Sequence, residues 1–309
     1  MATKITILDG GMGHLLRRRG VEIKGAIGSM QRFLGVALAN VDNKDLVRSC
    51  HSEYLSAGAE VITTNNYSCV PAAIELAGDG SWSVVGNAID QAGLRAREAI
   101  NFASSSSQVA GCLPPLHESY QFDRVAPDEE LEDAYSQIVT RIAPHSDLLL
   151  CETMSSVREA KCAAVAASAA KMPVWVSWTL HEDGSGNLRS SESIGEAVRA
   201  VSGVKNLEAC LLNCCSHESI VAAIPMVKQA LEEVGRNDVK IGAYANGFVT
   251  VHAGSMMSSD GGGEYRDLSP EQYLSQVNEW IRLGCTIVGG CCGVFPEHIQ
   301  KMAEELLQV

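Results

Sequence analysis

Two pairs of adjacent cysteines, Cys214-Cys215 and Cys291-Cys292, are the residues in this sequence best suited to chemistry. Three thiolates gathered round one ion suit zinc, and three protein ligands leave a fourth tetrahedral position for a substrate atom. Adjacent side chains in an extended strand point to opposite faces, so Cys291 and Cys292 reach one metal only if the backbone turns sharply there. Gly289, Gly290 and Gly293 flank the pair and lack the Cβ that would resist such a turn. Cys214 then completes a three-sulfur set, and Cys215 points away from it. No histidine lies at ligand spacing to these cysteines. The plainer reading is a group of buried thiols. That reading suits the isolated Cys50, Cys69, Cys112, Cys162, Cys210 and Cys285, which sit in apolar settings, better than it suits the pairs.

Two carboxylates stand in comparable places. Asp9 opens Asp9-Gly10-Gly11-Met12-Gly13, and Glu152 lies in Cys151-Glu152-Thr153. Taken alone, Asp9 reads as a turn residue and Glu152 as a strand-end acid paired with a surface lysine. A glycine-rich loop such as Gly10–Gly13 also suits a phosphate, but it holds no lysine, and Arg17–Arg19 read as a solvated helix face. Thr64 and Tyr67, in Thr63-Thr64-Asn65-Asn66-Tyr67, are candidates to line a pocket, as are Trp178, Asn246 and His252.

What must position these residues is a set of strand ends. Short β-branched or apolar runs occur at Ile5–Leu8, Glu60–Thr64, Gln108–Cys112, Asp147–Glu152, Val174–Leu180, Ala209–Cys214, Lys240–Ala245 and Thr286–Gly290. Several are nearly continuous apolar segments, as parallel strands covered on both faces require. Between them lie amphipathic segments at Lys44–Ala57, Ser83–Ala103, Asp128–Ala143, Ser155–Ala169, Gly195–Val201, His217–Val234, Pro270–Leu283 and Pro296–Leu307. Ser269-Pro270-Glu271 and Pro296-Glu297 are helix starts, and Gly58, Gly235 and Gly284 follow helix ends.

Strand–helix alternation repeated in this way predicts an α/β fold, a (β/α)₈ TIM-type barrel in a single domain over residues 1–309. An open doubly wound sheet is the rival, without a dinucleotide fingerprint to favour it. The stretch from His14 to Asn43 exceeds what a barrel loop needs and predicts a helix over one end. Ser104–Ser107 and Asp260–Gly263 read as loops. In such a barrel the active site lies at the C-terminal ends of the strands. The cysteines, Asp9, Glu152 and Thr64 all fall there.

Of 309 residues, 46% are hydrophobic, which allows a sizeable core. A net charge of −13 disfavours nucleic acid and anionic membrane surfaces as partners. No secretion signal is read at the N-terminus, and Ala163–Ala170 is too short to span a bilayer. Eleven cysteines in a chain of this kind point to a reducing, cytoplasmic setting, with thiols free for metal or catalysis. Nothing in the sequence decides the oligomeric state, and a homo-oligomer is compatible with it.

Asp9-Gly10-Gly11-Met12-Gly13, Thr63-Thr64-Asn65, Cys151-Glu152-Thr153, Asn213-Cys214 and Gly289-Gly290-Cys291-Cys292-Gly293 resemble, in this order, the motifs of the homocysteine S-methyltransferase family. The resemblance implies a (β/α)₈ barrel with zinc held by Cys214, Cys291 and Cys292. It implies that Asp9 and Glu152 meet the homocysteine amino group. Backbone N–H groups near Gly10 and Gly11 would bind the carboxylate. The chain departs from the family in two places. It lacks the Pro-Leu-Trp element, reading Gly25–Gln31 there, and Tyr244-Ala245-Asn246-Gly247 replaces a Pro-Asn element.

Zinc makes a bound thiol a thiolate, which then attacks the methyl carbon of an onium donor. With no folate or cobalamin module, a sulfonium donor is expected: S-methylmethionine first, S-adenosylmethionine second, betaine third. Another thiol or a selenol is an alternative acceptor. A phosphate-handling barrel would want a strand-end lysine, which is absent, and a protein merely stapled by zinc would want four ligands.

Overall fold

The computed structural model describes residues 4–22, 30–77, 82–117, 119–250 and 265–307. All eight expected runs form strands, each within a few residues of its expected bounds. They are β1 (Thr6–Ile7), β2 (Val61–Thr63), β3 (Gln108–Leu113), β4 (Leu148–Met154), β5 (Val174–Trp178), β6 (Leu207–Asn213) and β7 (Lys240–Tyr244). A short hairpin, β8 (Phe248–Thr250) with β9 (Tyr265–Asp267), comes next, and β10 (Ile287–Val288) is the last strand of the main sheet. That sheet is parallel throughout, in the order β1-β10-β7-β6-β5-β4-β3-β2. Its ends meet. Leu8 bridges Val61 in parallel, Glu60 N–H donates to Ile7 O at 2.7 Å, and Asp9 N–H donates to Val61 O at 3.0 Å. The sheet is therefore a closed barrel, and the open doubly wound alternative is excluded. β1 and β10, on either side of one pairing in this closure, contribute two residues each.

The helices cover the outside: α1 (Met12–Arg18), α2 (Met30–Asp42), α3 (Lys44–Ser56), α4 (Pro71–Ala77), α5 (Trp82–Ala103) and α6 (Asp128–Ile142) in the first half. The second half supplies α7 (Val157–Ser168), α8 (Ile194–Val201), α9 (His217–Glu233), α10 (Pro270–Leu283) and α11 (Pro296–Leu306). The one helix expected between His14 and Asn43 is two, α1 and α2. The Ser269 start is a capping box: its side chain accepts from Gln272 N–H while the Gln272 side chain accepts from Ser269 N–H. Such a cap is worth about 1 kcal/mol. Gly58, Gly235 and Gly284 all take left-handed φ past helix ends, as expected. Among the described residues no helix is long and apolar enough to cross a membrane.

Period-two alternation divides the core. Leu8, Val61, Ala110, Leu148, Leu150, Trp175, Ala209, Leu211, Tyr244 and Ile287 pack together in one cluster, which fills the barrel. The residues between them, such as Ile7, Ile62, Leu149, Cys210 and Leu212, pack outward with the helices in a second, larger cluster. Trp178 belongs to this outer layer and is fully buried, so it is a core residue rather than a pocket wall. Carried one step further up the barrel, the inward register reaches Thr63, Cys112, Glu152, Asn213 and Tyr244. The apolar filling ends in a polar layer.

The hairpin β8–β9 was not visible in the sequence pattern. His252 and Asp260–Gly263 lie outside the described residues, as does most of Gly25–Gln31.

Candidate metal centre

The sulfurs of Cys214, Cys291 and Cys292 lie within 4.8 Å of one another, the only such His, Cys, Asp or Glu trio among the described residues. A tetrahedral zinc with Zn–S distances of about 2.3 Å would space its sulfurs by roughly 3.8 Å, so the donor set fits a soft tetrahedral ion. Cys214 is buried, whereas Cys291 and Cys292 keep some exposure, which leaves a side open to a substrate. In the reduced trio Cys292 is held well below the usual thiol range, because Cys214 and then Cys291 hydrogen-bond to its sulfur. One thiolate is already favoured.

Cys214 and the Cys291-Cys292 pair reach the trio by different backbone devices. In β6, Ala209 and Leu211 face inward while Cys210 and Leu212 face outward. Strict alternation would therefore send Cys214 outward. Its φ of +53° breaks the alternation and turns it to the site. Cys215 is buried in the outer layer and is not part of the trio, as expected. After β10 the chain makes a tight turn in which Val294 N–H donates to Cys291 O at 3.1 Å, with left-handed Gly293 (φ +76°) at its third residue. This turn brings the neighbouring thiols to one side. Gly289 and Gly290 do not supply the left-handed step.

The Asp-Gly-Gly loop is pressed against that turn. A Cβ on Gly10 would lie 2.4 Å from Val294 O, and one on Gly11 would lie 2.8 Å from Cys291 O. Gly11 N–H donates to Val294 O at 3.0 Å, and Gly290 N–H donates to Asp9 O at 2.9 Å. The Gly11 amide is thus engaged in holding the turn, so its expected role toward a substrate carboxylate does not follow from this geometry.

Asp9 and Glu152 complete the rim. Asp9 Oδ2 accepts from Thr63 N–H at 2.8 Å, and Oδ1 accepts from the Thr63 hydroxyl at 3.3 Å. Burial pushes its carboxyl up to about 8; the Thr63 amide opposes the shift and the Glu152 charge adds to it. Glu152 Oε1 accepts from the Tyr244 hydroxyl at 3.2 Å, and Oε2 from the Cys112 thiol at 3.3 Å. Burial raises Glu152 to about 7, against the pull of its Cys112 hydrogen bond. Two acids that interact and are both hard to ionise form a site that a cation would relieve.

Thr64, expected to line the pocket, is buried. Its hydroxyl donates to Asn66 Oδ1 at 2.6 Å and accepts from Cys112 N–H at 3.0 Å, which ties β2 to β3. Thr63, one residue earlier, is the one that touches Asp9. Tyr67 shares a hydrogen bond with Ser119 at 2.8 Å. Asn246 is buried behind the site, its N–H donating to Cys215 O at 3.4 Å. Of the expected helix-face arginines, Arg18 pairs with Glu297 and Arg19 with Glu53.

Sequence reasoning missed Thr63, Cys112, Tyr120 and Tyr244. It also left Asn213 without a role. Asn213 accepts from the Ser177 hydroxyl at 2.7 Å and donates to Thr153 Oγ1 at 2.8 Å, clamping β4, β5 and β6 together just below Cys214. Inward parity could have found Cys112 and Tyr244; nothing local marks Tyr120.

A family model described as homocysteine S-methyltransferase matches residues 6–306. The homocysteine S-methyltransferase of Escherichia coli is 26% identical, with 96% of this chain and 94% of that protein covered. Homocysteine S-methyltransferase 4 of Zea mays is 25% identical, covering 96% of this chain and 88% of its own. Among solved structures, the metallated form of the homocysteine methyltransferase MmuM from Escherichia coli matches with a TM-score of 0.77 at 24% identity, over 98% of this chain and 97% of that one. That structural likeness agrees with the barrel, and the match over residues 6–306 identifies the lineage. The chain belongs to the homocysteine S-methyltransferase family.

Proposed function

We propose that this enzyme moves a methyl group from a sulfonium donor to the thiol of homocysteine, with zinc held by Cys214, Cys291 and Cys292. The observation that carries the reading is the three-sulfur cluster, two of whose members are still accessible, beside the buried Asp9 and the half-buried Glu152. A relative studied in a metallated form supports a metal here as well. When bound, zinc would keep the homocysteine sulfur a thiolate at neutral pH, where a free thiol with a pKa of about 8.5 is mostly protonated.

The protein's own groups handle the rest of the substrate. Asp9, fixed by Thr63, and Glu152, fixed by Tyr244 and Cys112, would receive the homocysteine ammonium group. Ionising both acids beside that cation removes the penalty that burial imposes on them in its absence. Neither acts as a general base; the ammonium needs a partner, and the thiol proton is lost on metal binding. With the amino-acid end fixed, the sulfur would be held in line for the donor.

In the transfer the homocysteine sulfur forms a bond to the methyl carbon. The donor C–S bond breaks, and its electron pair stays on the donor sulfur as a neutral thioether. A sulfonium donor therefore needs no further activation, and S-methylmethionine leads, ahead of S-adenosylmethionine and betaine. The entire activity is assigned to one barrel domain.

The test is methionine formation from homocysteine and S-methylmethionine by reduced, zinc-replete protein, with and without a strong chelator. Turnover that the chelator abolishes and zinc restores is the expected result. No turnover with any of the three donors would show that homocysteine is not the acceptor, and a selenol or another thiol would then be tried.

A further inference from the structure

Outside the ligands and the two acids, one side chain reaches a metal-site sulfur from a strained backbone. Tyr120, in the loop after β3, has a φ of +70°, a conformation an aromatic residue rarely adopts. Its hydroxyl lies 3.1 Å from Cys214 Sγ and 3.2 Å from Cys214 O. That carbonyl also accepts from the Thr179 hydroxyl at 3.2 Å, so the phenol proton lies between two acceptors of one residue, the Cys214 carbonyl and the Cys214 sulfur. A metal-bound thiolate has no proton to give. The hydrogen bond then runs one way, from phenol to sulfur.

A buried cation stands behind the phenol. The Arg189 guanidinium lies 4.4 Å over the Tyr120 ring, and its side chain is only 7% exposed. Glu182 holds it at 3.0 Å and, with its other oxygen, accepts from Ser216 N–H at 3.1 Å, just past Cys214-Cys215. The chain Ser216–Glu182–Arg189–Tyr120 thus begins and ends at the Cys214 segment. A dication with three thiolates carries one net negative charge, and a fourth thiolate from substrate makes it two. Glu152 lies near enough to Cys214 for their charges to interact, so additional negative charge is unwelcome.

We propose that Tyr120, backed by Arg189, is a positioning residue that draws charge from the Cys214 sulfur and so lets the centre accept the substrate thiolate. This rests on the reading of Cys214, Cys291 and Cys292 as the metal ligands. Partners of metal ligands commonly affect metal affinity or activity by about 10- to 100-fold.

The test loads Tyr120→Phe with cobalt(II) and records the thiolate-to-cobalt charge-transfer bands beside those of the unaltered protein. Losing the hydrogen bond raises the sulfur lone pairs in energy, so the bands move to lower energy. Zinc affinity by chelator competition falls about tenfold, homocysteine KM rises more than kcat changes, and the melting temperature stays close to that of the unaltered protein. Arg189→Gln moves the bands in the same direction by a smaller amount, since the phenol keeps its place but loses the cation. Bands and zinc affinity unmoved in Tyr120→Phe overturn the proposal. If the unaltered protein shows no thiolate band at all, the ligand reading fails first and takes this one with it.

Discussion

Replacing Asp9 by Asn should weaken substrate binding and, unusually for a buried site residue, stabilise the substrate-free fold. In the folded protein the Asp9 carboxyl titrates at about 8, against an ordinary value of 3.8. The folded state therefore holds a proton that the unfolded chain releases across that window, and stability falls as pH rises from about 4 to about 8. The linkage relation puts this penalty at roughly 4 kcal/mol at pH 7 and at well under about 1 kcal/mol at pH 4. Asn can still accept the Thr63 N–H through its amide oxygen, but its NH₂ faces the Thr63 hydroxyl less well, a loss of about 1 kcal/mol. The net gain at pH 7 is about 3 kcal/mol. For a chain of this size that corresponds to a rise in Tm of about 3–5 °C, shrinking to nothing near pH 4. The charged hydrogen bond proposed between Asp9 and the substrate ammonium would be worth about 1.5–3 kcal/mol, so homocysteine KM should rise ~10- to 150-fold. The assay is a melting series from pH 4 to 8 on reduced protein without substrate, paired with steady-state kinetics. A variant less stable at pH 7, or a stability gap that ignores pH, would refute the account of Asp9.

Cys291→Ala and Cys292→Ala should each lose both metal and activity, read by metal analysis of the purified proteins; stoichiometric zinc retained in either would remove that residue from the ligand set. Tyr244→Phe takes one donor from Glu152, and homocysteine KM should rise about tenfold with kcat nearly unchanged, since only the amino-acid end is affected. Gly10→Ala places a methyl 2.4 Å from Val294 O and pushes the loop off the cysteine turn. It should lower stability by about 1–3 kcal/mol in thermal melts and weaken zinc binding in chelator competition.

Most of the frame could be read from the sequence because barrel strands announce themselves as short apolar runs. The expected runs and the observed strands differ mainly at their ends; Glu60–Thr64 becomes Val61–Thr63, for instance. The hairpin of Phe248–Thr250 with Tyr265–Asp267 was hidden because its second strand, Tyr265-Arg266-Asp267, has no apolar run to mark it. At the site, the gathering of the three cysteines was readable from their pairing, their flanking glycines and their places at strand ends. Thr63 and Thr64 were not separable by type: which of two neighbouring threonines meets Asp9 depends on the register of β2 against β1. Tyr120 and Arg189 come from loops, and their proximity to Cys214 is a product of the closed barrel, which no local pattern encodes. Gly10 and Gly11 were expected for their backbone N–H groups, whereas the structure uses their lack of volume.

If Cys214, Cys291 and Cys292 hold the ion, as proposed above, the closure of the barrel gives that site a kinetic character. β1 and β10 add only two residues each to the ladder, and Cys291 and Cys292 follow β10 directly, while Cys214 follows the longer β6. Three sulfurs release an ion only when one side of the cluster draws back, and the side with the fewest rungs is β10. Loss of the ion and local opening of this seam would then be one event, and the residence time of the metal would be set by how often the seam breathes. Amide exchange at Val288 and Gly290 and the off-rate of zinc should rise and fall together across variants that loosen or tighten this edge.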